Sequence, residues 1–201
     1  MAKLKAPLMS LGASGKLGDA LVFFPWKGLN VVREYVIPAN PKTALQVTQR
    51  GYLTAAVLEI HTQQSAAANP LSAADVAAYS LLGSLRATPR TWFNELVKML
   101  VDLQVDALDP EFPTDGTTTP GAATLAVSVW DNNGNMTVGD FWYGTSKTAL
   151  IYSEVGVLAA GEFTATLAAL TAGVKYFWQF RPTAPAGNVG GNSGIYYGRP
   201  T

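Results

Sequence analysis

The stretch that decides the fold is residues 15–50, which read GKLGDALVFFPWKGLNVVREYVIPANPKTALQVTQR. Its first part predicts two β-strands, at 19–25 and 31–37, because β-branched and aromatic residues dominate both segments. A turn at 26–30 joins them, and Gly28 within it is free to adopt a positive φ. We therefore predict a β-hairpin at this end of the chain, and we find no pattern typical of catalysis in it.

The second strand of this hairpin is apolar on both sides. Strand alternation places Val31 and Tyr35 on one face and Val32 and Val36 on the other, so neither face is cleanly polar. We expect one face to be covered by a neighbouring subunit, since interfaces favour large aromatic residues and arginine. The residues predicted to form this assembly interface are Phe23, Trp26, Lys27, Arg33, Tyr35 and Arg50.

Three helices are predicted after the hairpin, over about 41–65, 73–85 and 89–106. Each is preceded by a residue pattern typical of helix N-termini. These patterns are Asn40-Pro41, Ser72 with Asp75 three residues later, and Thr88-Pro89. The first helix is expected to bury a stripe formed by Leu45, Tyr52, Leu53, Ala56 and Ile60.

The periodicity changes after residue 108. Residues 109–121, DPEFPTDGTTTPG, are rich in proline, glycine and threonine, which is typical of a linker between domains. Residues 122–201 then alternate in short segments with turns between them, which predicts an antiparallel β-sandwich. We therefore predict an α+β protein with a hairpin and three-helix domain at 1–108 and a sandwich domain at 122–201.

Composition and charge exclude several classes of protein. The chain is 48% hydrophobic and 14% charged, with no cysteine and a single histidine, so disulfides and thiolate metal sites are excluded. No apolar run approaches the ~20 residues of a membrane span, and the N-terminus lacks the pattern of a secretory signal. Residues 1–50 carry a net charge of +5 and residues 107–201 a net charge of −3. This asymmetry favours assembly with acidic protein surfaces, and we predict no cofactor, metal, nucleic acid or enzymatic activity.

Residues 167–176, LAALTAGVKY, resemble the fibronectin type III pattern, in which a leucine, a glycine-containing turn and a tyrosine form the corner before the penultimate strand. The segment WYGTSKT at 142–148 is similar to bacterial and phage versions of this domain. The resemblance covers residues 122–201 and implies that Leu170 and Tyr176 lie in the core. It implies nothing about a ligand, because such domains host many functions.

Residues 15–50 also resemble a group of uncharacterised phage and prophage proteins. The matching positions are Gly15, Gly18, Lys27, Gly28, Arg33, Asn40, Pro41, Thr43, Gln46, Gln49 and Arg50. The segment LSAADVAAYSLLGS at 71–84 is similar to the second helix of that group, with Tyr79 in place of its usual tryptophan. The resemblance implies a viral setting and a structural role.

The sequence therefore predicts a virion structural protein, such as a capsid-associated decoration, fiber or spike component, assembled in the host cytoplasm. Its expected partners are further copies of itself and a major capsid or other virion protein. One alternative is a subunit of an extracellular filament or layer on a cell surface. A second is a carbohydrate-binding module that recognises a host-surface glycan through Trp142, Tyr143 and Tyr197, because aromatic rings can stack on sugars.

Overall fold

The computed structural model describes residues 3–4, 13–37, 42–183 and 190–201. The chain divides into two compact units, Met1–Thr43 and Ala44–Thr201. The described residues form three helices and three antiparallel sheets, which confirms the predicted α+β class. The observed division falls between Thr43 and Ala44, whereas the sequence predicted boundaries at 108 and 121, because the helices belong to the same unit as two of the sheets.

The first unit is built around a four-stranded antiparallel sheet whose strands follow one another in chain order. These strands are β1 (Lys3–Leu4), β2 (Ala13–Leu17), β3 (Leu21–Trp26) and β4 (Leu29–Glu34). The predicted hairpin is the β3–β4 pair, and β1 and β2 extend it into a sheet.

The turn between β3 and β4 is tighter than predicted. Trp26 pairs with Leu29, which leaves only Lys27 and Gly28 in the turn. Both turn residues have positive φ, 48° at Lys27 and 81° at Gly28. Positive φ at both positions defines a type I′ turn, whose twist matches that of the flanking strands, and glycine adopts it without steric cost.

The three helices are α1 (Ala44–Gln64), α2 (Ala73–Ser84) and α3 (Trp92–Val105). The capping box predicted before α2 is confirmed, because Ser72 and Asp75 each accept a hydrogen bond from the other's backbone N–H. The predicted start of α3 at Thr88-Pro89 is wrong, since the N-cap is Thr91, whose hydroxyl accepts a hydrogen bond from the backbone of Asn94. The predicted cap of α1, Asn40-Pro41, lies outside the described residues.

The predicted apolar stripe of α1 is only partly correct. Ala56 and Ile60 are fully buried, whereas Leu45 is 80% exposed and Leu53 is 50% exposed. Only the C-terminal half of the helix reaches the hydrophobic core, so periodicity identified the helix but not the length over which it packs.

The rest of the second unit consists of two four-stranded antiparallel sheets. Their strands are β5 (Thr114–Gly121), β6 (Thr124–Trp130), β7 (Gly139–Gly144), β8 (Tyr152–Val155), β9 (Val157–Ala159), β10 (Glu162–Leu167), β11 (Tyr176–Pro182) and β12 (Tyr196–Gly198). The strand orders are β5-β6-β10-β9 in one sheet and β12-β11-β7-β8 in the other.

The two sheets share one hydrophobic core. Phe163 of the first sheet contacts Phe180 of the second, with ring centroids 4.6 Å apart. Trp178 is fully buried in the same cluster, and the predicted core residues Leu170 and Tyr176 are buried there too. The inward-facing residues of both sheets thus exclude water together, as alternation along a half-buried strand requires.

The helices complete a second core that includes residues of the predicted linker. Phe112 packs against Tyr79, with ring centroids 5.9 Å apart, and the Tyr79 hydroxyl donates a hydrogen bond to the carbonyl of Pro113. Residues 114–121 form β5, which pairs along β6. The expectation that 109–121 is a linker is therefore corrected: its threonines are β-favouring residues that find a partner strand, and its aromatic residue is buried.

Candidate functional site

The first unit carries five of the six residues predicted to form an assembly interface: Phe23, Trp26 and Arg33 on its strands, Lys27 in the β3–β4 turn and Tyr35 directly after β4. Phe23 is buried, whereas Trp26 is 60% exposed. Pairing of Phe24 with Val31, and of Phe23 with Val32, places apolar side chains on both faces of the sheet. Both faces of the sheet are therefore apolar.

Cations lie over the aromatic rings of this sheet. The Arg33 guanidinium is 5.4 Å from the centroid of the Phe24 ring, and the Lys16 ammonium is 3.9 Å from that of Tyr35. These contacts hold long basic side chains against apolar surface, and the Lys16 ammonium group is also paired with the carboxylate of Asp19. Lys27 is exposed in the turn. Arg50, the sixth predicted residue, lies on α1 in the other unit.

Exposed apolar side chains are frequent in the first unit. Their exposed fractions reach 60% at Trp26, 70% at Leu29 and 74% at Ile37. Among the described residues of this unit, the exposed large apolar side chains are those of Leu17, Leu21, Trp26, Leu29, Val32, Val36 and Ile37. We therefore treat the first unit as a candidate interaction surface, since interaction sites on soluble proteins are marked by exposed apolar side chains that lie together.

The three aromatics predicted to bind sugar do not form one platform. Trp142 lies on one face of the β12-β11-β7-β8 sheet. The Arg181 guanidinium covers it, 5.0 Å from the centroid of the Trp142 ring. Tyr143, the next residue on the strand, faces the opposite way and packs against the core and the ring of Tyr152. Tyr197 is exposed on β12, where Lys175 covers one face of its ring.

Tyr197 lines a groove of about 900 Å³ that sequence analysis did not identify. One wall is helix α2, which presents Ala74, Ala77 and Leu81. The facing wall includes Phe177 and Tyr197, and the charged residues that line the groove are Lys147 and Lys175. We call this cavity the α2 groove.

A second cleft, of about 800 Å³, lies beside α3 and is lined by charges of both signs. The buried Glu95 carboxylate pairs there with Arg86, at 2.6 Å from Nε to Oε1, and with Arg90, at 3.2 Å. The Arg181 Nε donates to the Gln179 side chain at 3.0 Å, and burial lowers the pKa of Arg181. Because most of these groups already satisfy one another, this cleft offers little to a ligand.

A buried carboxylate holds the walls of the α2 groove in position. Asp75, in the first turn of α2, accepts hydrogen bonds from the backbone of Asp115 and Gly116 on β5 and from the hydroxyl of Tyr196 on β12. The Tyr196 ring in turn stacks on Trp178 at 4.4 Å. These contacts join α2 to an edge strand of each sheet, so the groove is part of the packed structure.

Glu111 is a further buried carboxyl group of the second unit. It is 1% exposed, its Oε2 accepts a hydrogen bond from Asn135, and within the described residues Oε1 has no hydrogen-bond partner. Burial, followed by the nearby charge of Asp131, raises the pKa of Glu111 to about 7. No set of three or more His, Cys, Asp or Glu side chains in the described ranges is arranged to hold a metal ion.

The chain matches no protein-family model and no curated protein. Among the helices of the described residues, none combines the length and the hydropathy needed to span a bilayer. The features of the described residues that bear on function are the exposed sheet of the first unit and the α2 groove of the second.

Proposed function

We propose that this protein is a structural component of a virus particle, a capsid-associated decoration, fiber or spike protein. In this proposal the first unit makes the assembly contact, and the second unit is displayed. The observation that carries the proposal is the apolar character of both faces of the β1–β4 sheet, with residues such as Trp26 and Leu29 exposed. A sheet buries its apolar face against a second layer, and the described residues of this unit form no helix that could supply one.

The charge of the N-terminal region supports assembly with an acidic partner. Residues 1–50 carry a net charge of +5, and residues 107–201 carry a net charge of −3. Such asymmetry steers encounter between copies of the chain or with an acidic particle surface. The resemblance of residues 15–50 to phage and prophage proteins supports the choice of a viral particle over other assemblies.

We further propose that β5–β12 form a β-sandwich of the fibronectin type III or immunoglobulin kind. With β8 taken as an additional strand beside β7, the orders β5-β6-β10-β9 and β12-β11-β7-β8 match the arrangement of such domains, in which the first, second, fifth and fourth of seven strands share a sheet. The Tyr176 hydroxyl accepts a hydrogen bond from the backbone N–H of Thr171 at 3.1 Å. A tyrosine near the start of the penultimate strand that bonds to upstream backbone is the tyrosine corner of this fold.

The alternatives draw on fewer observations. A subunit of a cell-surface filament or layer would use the same exposed sheet, so the source of the assembly distinguishes it from a virion protein. Sugar binding is not favoured, because Trp142 and Tyr143 face opposite sides of one sheet. No arrangement of the described residues suggests catalysis, so we propose no enzymatic activity.

The assembly proposal is tested by light scattering of the full-length protein over a range of concentrations. We expect an oligomer for the natural chain and a lower mass for the Trp26→Ser/Leu29→Ser variant, which removes two exposed apolar side chains. Ile151→Ser is the matched control, because Ile151 is 66% exposed but lies in the second unit. A natural chain that stays monomeric at high concentration would overturn the assembly role.

The viral setting needs a separate measurement. We expect mass spectrometry to detect the chain in particles purified from lysed host cells, at a constant ratio to the major capsid protein. Detection only in the cell envelope fraction would favour the filament or layer instead.

A further inference from the structure

We propose that the α2 groove binds a small anionic amphiphile, a molecule with an aromatic or aliphatic body and one carboxylate or sulfonate group. This function lies beyond assembly, since every residue that lines the groove belongs to the second unit. The volume of about 900 Å³ falls in the range of ~300–1,000 Å³ that is typical of small-molecule sites.

The apolar part of the site comes from the small side chains of α2. Ala74 and Ala77 face the groove and leave space where larger residues would fill it. Leu81 and Phe177 also line the groove and add to its apolar surface. A hydrocarbon or aromatic body bound there would be transferred from water to an apolar surface. This transfer is favourable by roughly 25 cal/mol per Å² of apolar surface buried.

The charge of the site is entirely positive. Lys147 and Lys175 line the groove, and no acidic residue is among the described residues that line it. Neither lysine forms an ion pair with any carboxylate in the described part of the chain. Because an unpaired ammonium group beside apolar surface is best complemented by an anion, the ligand should carry a negative group next to its apolar body.

Lys175 is held where an anion would meet it. Its ammonium nitrogen lies 3.5 Å from the centroid of the Tyr197 ring and 5.0 Å from that of Phe177. Contact with two aromatic faces restricts the long side chain, so less rotamer freedom is lost when a ligand binds. The aromatic surface and the cation thus present one combined recognition element.

The groove is formed before any ligand arrives. The indole N–H of Trp178 donates to the hydroxyl of Thr118 at 2.9 Å, and Tyr196 is fixed by Asp75. A Cβ atom added at Gly194 would meet the backbone of Ala78 at 2.6 Å, so α2 lies directly against the segment that leads into β12. A preorganised cavity avoids the cost of ordering its walls on binding.

The test compares two fluorescent probes that differ by a single group, anilinonaphthalene sulfonate and the uncharged phenylnaphthylamine. The full-length protein should bind one equivalent of the sulfonate in a saturable way, and more tightly than the uncharged probe. Lys175→Gln should weaken sulfonate binding by at least about fivefold, the effect of losing one charge-assisted contact. The same substitution should leave binding of the uncharged probe nearly unchanged.

Two further variants locate the site. Ala77→Phe should abolish binding of both probes by filling the groove, and its thermal unfolding shows whether it is folded. Lys98→Gln is the control, because Lys98 lines the charged cleft and is absent from the groove. Equal sulfonate affinity in the natural chain and in Lys175→Gln, or a loss of affinity in Lys98→Gln alone, would overturn the proposal. Neither result depends on the oligomeric state, so the assembly proposal is tested separately.

Discussion

The hydroxyl of Tyr196 on β12 donates a hydrogen bond of 2.5 Å to the carboxylate of Asp75 in the first turn of α2. Both residues are buried. The same carboxylate accepts hydrogen bonds from the backbone N–H groups of Ser72, Asp115 and Gly116. Burial, together with the charge of Asp75, raises the pKa of Tyr196 well above its ordinary value, so the phenol remains a donor. One side chain thus joins a helix to two strands.

Replacing Asp75 with asparagine should destabilise the second unit by about 2–4 kcal/mol. The NH₂ group of asparagine would face backbone N–H groups or the Tyr196 hydroxyl, which are themselves donors. The substitution would also remove the negative charge that strengthens all four hydrogen bonds. Urea denaturation followed by circular dichroism measures the change. Tyr196→Phe is the control, because it removes one partner and should cost only ~1–2 kcal/mol. A smaller loss for Asp75→Asn than for Tyr196→Phe would contradict this role.

Tyr176 should stabilise the two-sheet core mainly through its ring. It is 8% exposed, and its hydroxyl accepts one hydrogen bond from the backbone of Thr171. Tyr176→Ala should lower the free energy of unfolding by ~3–5 kcal/mol, as other large aromatic truncations do. Tyr176→Phe keeps the ring and should cost only ~0.5–1.5 kcal/mol. Chemical denaturation distinguishes the two, and equal losses would show that the hydroxyl carries the effect.

Glu111 should make stability depend on pH. Its pKa is about 7 in the folded protein, compared with an ordinary value of 4.5. Between these values the folded state holds a proton that the unfolded state releases, so the free energy of unfolding falls as pH rises. Below pH 4.5 both states are protonated, and above pH 7 the full cost of ionising a buried group is present.

The expected loss across this range is about 1–3 kcal/mol. Glu111→Gln removes the titrating group and should flatten that part of the profile, although Asp131, Asp109 and Glu59 remain nearby. Denaturation of both proteins from about pH 3.5 to about pH 8, a range of about one unit beyond each pKa, provides the measurement. Parallel profiles for the natural chain and the variant would show that Glu111 is not the group responsible.

Local patterns in the sequence were sufficient for most of the secondary structure. Ser72 and Asp75 predicted the start of α2 because a capping box involves only neighbouring residues. The turn at Gly28 was likewise predicted from a short segment, whereas the burial of Leu170 and Tyr176 was implied by the resemblance of residues 167–176 to the fibronectin type III pattern. The same local evidence failed at Thr88-Pro89, where a better cap three residues later begins α3.

Long-range contacts decided what the local patterns left open. Periodicity on α1 could not show that Leu45 stays exposed while Ile60 is buried, since that depends on where α3 packs. Proline and threonine in 109–121 predicted a linker, and only pairing with β6 makes residues 114–121 a strand.

The α2 groove shows the same division between sequence and tertiary structure. Its lysines and aromatic residues are visible in the sequence, but Lys147 and Tyr197 are separated by 50 positions and meet only in the fold. The sequence by itself therefore determined the elements, because turns, caps and alternation depend on neighbours along the chain. The tertiary structure decided which of their surfaces meet, because burial and charge pairing depend on residues that are distant in sequence.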